Sequence, residues 1–181
     1  DFFKDNETFA ALFNGFFFAN EHIIRADELE RDDSAYAETL KIQNDKRKYK
    51  VEKINKYRDN IRRTKLGYLV ILGIEDQSKV HYSMPVRKML YDALGYSSEL
   101  SAIGNNQDKT GWTIDERLSG VKKGTKVTPI VTAVFYTGED PWDGPNSLHE
   151  MMYMDDKISP FVPDYPLHVI DIGHDLSLIH I

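Results

Sequence analysis

The chain has 181 residues, enough for one domain with a sizeable core, and a formal net charge of −6. That charge excludes a surface that grips nucleic acid all over, while leaving room for a local basic groove or a site whose cation offsets the acids. There is no cysteine, which excludes a disulfide framework, a thiolate zinc site and a cysteine nucleophile. No apolar run approaches the roughly 20 residues of a membrane span, so the expectation is a cytoplasmic protein with no membrane partner.

Residues 6–20 read as a helix. Asn6 suits its N-cap, Glu7 lies in its first turn, and Phe9, Leu12, Phe13, Phe16 and Phe17 recur at helical spacing, with Asn20 closing it. Residues 23–40 are mixed and carry an acidic cluster (Glu28, Glu30, Asp32, Asp33), with a short extended segment expected somewhere within them. Residues 44–56 are strongly basic. Val51, Ile54, Tyr57 and Ile61 fit one helical face, so a helix can run to about Arg62. A strand starting near Asp59 and joined to the next strand by a hairpin through 64–67 fits equally well.

Residues 68–77 give the strongest strand signal. Tyr68 to Leu72 is a continuous apolar run rich in β-branched residues, suited to a central strand buried on both faces. Such a run ends in Glu75-Asp76-Gln77, where alternation puts Glu75 and Gln77 on one face and Asp76 on the other. A plain polar turn also fits these three. Residues 85–94 read as a second helix, with Pro85 at its first position and Gly95 as its stop. Its apolar stripe is Val86, Met89, Leu90, Ala93 and Leu94, with Arg87, Lys88 and Tyr91 off that stripe. Residues 97–126 are polar: a continued helix, then a loop. Residues 126–136 form the second strong strand, with Pro129 near its start. A turn-rich loop with Trp142 follows, then a capping-box pattern Ser147-Leu-His-Glu150 opening a short helix, then a strand over 166–172. The alternation of helices and strands predicts a single α/β domain over 1–175. The chain starts at Asp1 without methionine, and both ends are expected to be cut; residues 176–181 read as a scar of sequencing-library processing and are set aside from the fold.

The chemistry concentrates around the strand end. Asp59 and Glu75 supply hard carboxylate oxygens of the kind Mg²⁺ takes. Arg87 can hold a phosphate oxygen, and Tyr91 lies one turn along from it. Each of these residue types, taken alone, is more often a solvated surface group; the joint pattern is more informative than its parts. His81 and His149 fit structural or exposed positions, and Trp142 with its proline-rich loop fits a packed corner.

Tyr57-Arg58-Asp59, Leu72-Gly73-Ile74-Glu75-Asp76-Gln77, His81-Tyr82-Ser83-Met84-Pro85-Val86-Arg87 and Tyr91-Asp92-Ala93-Leu94 together resemble the recombination-promoting nuclease/transposase family. So do Lys4-Asp5-Asn6-Glu7, Val134-Phe135-Tyr136-Thr137-Gly138, Pro141-Trp142-Asp143-Gly144-Pro145 and Ser147-Leu148-His149-Glu150. The resemblance spans residues 4 to about 165. The family belongs to the PD-(D/E)XK nuclease superfamily. It implies a restriction-endonuclease-like αβββαβ core, a central mixed sheet flanked by helices, and cleavage of double-stranded DNA with Mg²⁺ or Mn²⁺. It further implies that Asp59 and Glu75 are catalytic and hold the metal, that Glu7 joins them as the acid on the first helix, and that Gln77 stands where the superfamily usually has lysine. Arg87 and Tyr91 are the expected substrate contacts. Gln77 carries no charge and cannot take a proton, so it would orient the attacking water. The same departure keeps open a nuclease-fold protein that binds nucleic acid or a partner without cutting.

Overall fold

A computed structural model of the protein describes residues 5–31, 61–65, 67–73 and 79–174, and of 68–73 the backbone path. In chain order the elements are α1 (Asn6–Phe18), β1 (Glu30–Arg31), β2 (Ile61–Arg63), β3 (Tyr68–Gly73), α2 (Met84–Asn105), α3 (Ile114–Ser119), β4 (Ile130–Tyr136) and β5 (Val169–Asp171). The fold is mixed α/β.

The strands form one five-stranded sheet in the order β1-β2-β3-β4-β5. β1, β2 and β3 are an antiparallel meander, with Ile61 opposite Val70. β4 then lies parallel to β3, with Tyr68 opposite Ile130 and Gly73 opposite Phe135, and β5 lies parallel to β4. β3 is therefore the central strand, as its apolar run predicts. The hairpin reading holds for residues 61–63, while 32–60, including the predicted basic helix and the possible strand start near Asp59, lie outside the described residues. The turn between β2 and β3 needs Gly67: its φ is +153°, and a Cβ there would sit 2.5 Å from the Pro129 carbonyl oxygen.

Alternation along β4 separates two packed layers. Ala133 and Phe135 face α1, where Phe9, Leu12 and Phe13 are buried with them and Ile170. Phe9 and Phe13 stack at 5.0 Å and are fully buried, each worth roughly 1.5–3 kcal/mol. Val134 faces the other way and packs with Ile61, Met84 of α2 and Leu167. The sheet thus lies between α1 and α2.

Several expectations are corrected. The N-cap of α1 is Asp5, whose carboxylate accepts the Thr8 N–H at 2.9 Å. Asn6 is instead a clamp, donating to the carbonyls of Leu29 and Ala26 and accepting from Arg62 Nε. α2 does not stop at Gly95. Gly95 is buried in mid-helix, and the helix continues to Asn105 because Glu99 and Tyr96 pin the approach to β4, through Thr128 N–H at 2.8 Å and Ile130 N–H at 3.2 Å. Its buried face is also not the predicted stripe. Val86 and Leu90 are 40% and 46% exposed, while Lys88 and Asp92 are buried. The capping box lies at Thr113–Glu116, opening α3, a helix within the stretch where the polar composition predicts a loop. Ser147 instead bridges to Pro166, and only a turn of 3₁₀ helix, His149–Met151, follows. The last strands begin later than predicted, at Ile130 and Val169.

Candidate functional site

In α/β sheets, ligands bind where parallel strands end at their carboxyl edge. Here that edge is formed by the exits of β3, β4 and β5, with α2 starting beside the β3 exit. At the β4 exit, Tyr136 is buried and its hydroxyl donates to the Asp140 carbonyl at 2.8 Å. Burial, then the charges of Asp171, Asp140 and Asp143, raises its pKa. Trp142 meets Tyr136 edge to face at 5.3 Å. Asp171, ending β5, accepts the Trp142 backbone N–H at 3.0 Å with one oxygen and contacts His174 Nδ1 at 3.0 Å with the other. A Cβ on Gly144 would come within 2.7 Å of the Trp142 ring and of Val80. The 137–145 loop is therefore a packed corner. The indole Nε1 is buried and has no partner among the described residues.

At the start of α2, Pro85 is buried in the first turn and Ser83 Oγ lies 3.1 Å from His81 Nδ1. Burial and the positive charge of Arg87 pull the His81 pKa below its usual value. Arg87 Nη2 donates to the Tyr91 hydroxyl at 3.2 Å, with the guanidinium carbon 5.9 Å from the ring centroid. The spacing of four residues on one helix face makes this pair. Tyr82, at the same edge, donates to Asp143 at 3.2 Å across the corner loop.

Of the site residues read from sequence, Arg87 and Tyr91 are brought together, both half-buried. Asp59, Glu75 and Gln77 lie outside the described residues. Glu7 is exposed on the first turn of α1 and lines a cleft of about 680 Å³ with Asn14, His22, Arg25 and Asp27. Arg25 and Asp27 form a two-pronged pair there, at 3.2 and 2.9 Å. Among the described residues no three acidic or histidine side chains converge as metal ligands.

The sequence reading missed a buried polar chain. Lys88 Nζ donates to Asp92 at 2.8 Å, and the Thr132 hydroxyl of β4 donates to the other Asp92 oxygen at 2.7 Å. The charged side chains are only 11% and 10% exposed. The spacing of a lysine and an aspartate at i and i+4 was the available signal, but the same spacing is common on solvated helix faces. Compared with family models, curated proteins and solved structures, the chain matches none.

Proposed function

We propose that the chain is a metal-dependent DNA endonuclease of the recombination-promoting nuclease/transposase family, built on the αβββαβ core of the PD-(D/E)XK superfamily. The observation that carries the reading is topological. A helix, an antiparallel three-strand meander and a helical crossover to a strand parallel to β3 follow one another in that order. In this topology the entry to β2 and the exit of β3 lie at the same sheet edge. Asp59 precedes β2 by two residues and Glu75 follows β3 by two, which supports their meeting.

Ile61 packs on the α2 side of the sheet, whereas Gly73 pairs with Phe135, which faces α1, the helix that carries Glu7.

Asp59, Glu75 and Glu7 would hold the cation. Mg²⁺ bound there supplies charge neutralisation at phosphorus and a bound water of lowered pKa. Gln77 would orient the attacking water through its amide. Arg87, already placed by Tyr91 at the same edge, would hold a phosphate oxygen with two N–H groups. The uncharged Gln77 favours a second reading, a DNA-binding protein that no longer cuts. Incubating the protein with supercoiled plasmid, with Mg²⁺ or with EDTA, separates them: nicking only with Mg²⁺ supports the nuclease, and gel retardation without nicking supports the second.

A further inference from the structure

Two exposed apolar surfaces of opposite charge lie on this chain. The first is the outer face of α3. Ile114 and Leu118, one turn apart, are 85% and 87% exposed. The helix that presents them is held at both ends, by its capping box and by Gly120 in the left-handed region at φ +73°. Lys122, Lys123 and Lys126 follow it, all exposed. Asp115 and Glu116 offset part of this charge, but the Glu116 carboxylate is occupied by the N–H groups of Thr113 and Lys123 at 2.9 and 3.0 Å.

The second surface is an arm between β4 and β5. Its base is closed by the Ser147–Pro166 bridge and by Leu148 N–H donating to the Tyr165 carbonyl at 3.2 Å. Along the arm Tyr153 is wholly exposed, Phe161 is 84% exposed and Ile158 is 57% exposed. Ile158 and Phe161 share a turn, the Phe161 N–H donating to the Ile158 carbonyl at 2.9 Å. The arm carries Glu150, Asp155, Asp156 and Asp164 against the single lysine Lys157. Scattered exposed apolar residues need no account, but five large ones gathered on two held elements of opposite charge do.

We propose that the acidic, aromatic arm of one copy docks on the basic α3 face of a second copy. Charge complementarity selects this occupant. Within one copy the surfaces do not cover each other, since all five apolar side chains remain exposed. Each copy offers both surfaces, so the contact can close as a reciprocal pair or continue head-to-tail into a ring or an open chain. The side chains involved put it below the roughly 1,200 Å² of a standard interface, so the association is weak and is screened by salt.

Sedimentation velocity over a range of protein and salt concentrations tests this. The mean mass should rise with protein concentration and fall with salt. Asp155→Lys with Asp156→Lys, and separately Lys122→Glu with Lys123→Glu, should each weaken association at least tenfold while circular dichroism stays unchanged. Phe161→Ser should do the same without altering charge. In an equimolar mixture of the two charge variants both contacts are complementary again, intact arm on intact face and reversed arm on reversed face, so the mixture should assemble like the wild type, as should the variant carrying all four reversals. A wild type that stays monomeric throughout overturns the proposal. So does a mixture of the two charge variants that remains monomeric.

Discussion

Replacing Lys88 by methionine is expected to cost about 3 kcal/mol of stability, at the lower end of the range for breaking a buried ion pair. The pair is nearly buried, with side chains 11% and 10% exposed, and Lys88 Nζ donates to Asp92 at 2.8 Å. The Thr132 hydroxyl satisfies the other carboxylate oxygen at 2.7 Å. Removing the lysine leaves a carboxylate between α2 and β4 with one neutral donor. Asp92→Leu should cost a similar amount by stranding the ammonium group, which lies 6.0 Å from the centroid of the Tyr165 ring and acts on His168. Thr132→Val removes a charge-assisted hydrogen bond and should cost about 1.5–3 kcal/mol. The triple variant, Lys88→Met with Asp92→Leu and Thr132→Val, should lie close to the wild type, because it removes every stranded group at once. Urea unfolding followed by circular dichroism measures each term, and a 3 kcal/mol loss corresponds to roughly 6–12 °C in Tm for a chain of this size. Single variants costing under about 1 kcal/mol, the worth of an exposed pair, or a cycle with no coupling between Lys88 and Asp92, would refute the reasoning.

Four further outcomes follow from the geometry. The His168 pKa is depressed by burial first and by Lys88 second, with Asp92 opposing, and that of His81 is depressed by burial and Arg87. A depressed histidine stabilises the fold fully above its unfolded value of about 6.5, and that stability is lost as pH falls through the lower folded value. The urea midpoint should therefore drop as pH falls below about 6.5, and His168→Gln should flatten that drop. Gly67→Ala should destabilise the hairpin, since φ +153° and the Pro129 carbonyl at 2.5 Å leave a side chain no place; an unchanged Tm would count against the turn as described. Arg87→Ala should lower the slope of log affinity for DNA against log salt by about one if Arg87 contacts one phosphate, read by fluorescence anisotropy. Gln77→Ala should slow plasmid nicking less than loss of a metal-holding carboxylate does, because only water positioning is lost.

The central strand was legible because Tyr68 to Leu72 has no competing pattern, and the phenylalanine spacing of α1 was legible for the same reason. Strand starts were not, because Lys126 to Pro129 have strand-like composition yet Thr128 is tied to the Glu99 carboxylate and Pro129 has no N–H to give a ladder. The buried face of α2 was illegible for a physical reason. Hydrophobic periodicity assumes that charge goes outward, and Lys88 and Asp92 neutralise each other inside while Val86 and Leu90 stay outside. Composition points to Gly95 as a stop, but a glycine stop takes the left-handed conformation, which Gly120 adopts after α3 and Gly95 does not. At the candidate site, spacing of four residues correctly joined Arg87 to Tyr91. Asp59 and Glu75 stand in separate motifs and lie outside the described residues; bringing them together would take tertiary register, which local pattern does not encode.

The most direct measurement of the central claim is plasmid nicking by the wild type and Glu75→Gln, matched for folding by circular dichroism, in Mg²⁺ and in EDTA. The nuclease account predicts nicking by the wild type in Mg²⁺ alone. It predicts a loss of at least about 100-fold in Glu75→Gln, no smaller than the loss when an outer-shell partner of a metal site is removed. Stability should be unchanged or slightly raised, because two neighbouring carboxylates no longer repel. Nicking by Glu75→Gln at the wild-type rate would contradict the account and remove Glu75 from the chemistry.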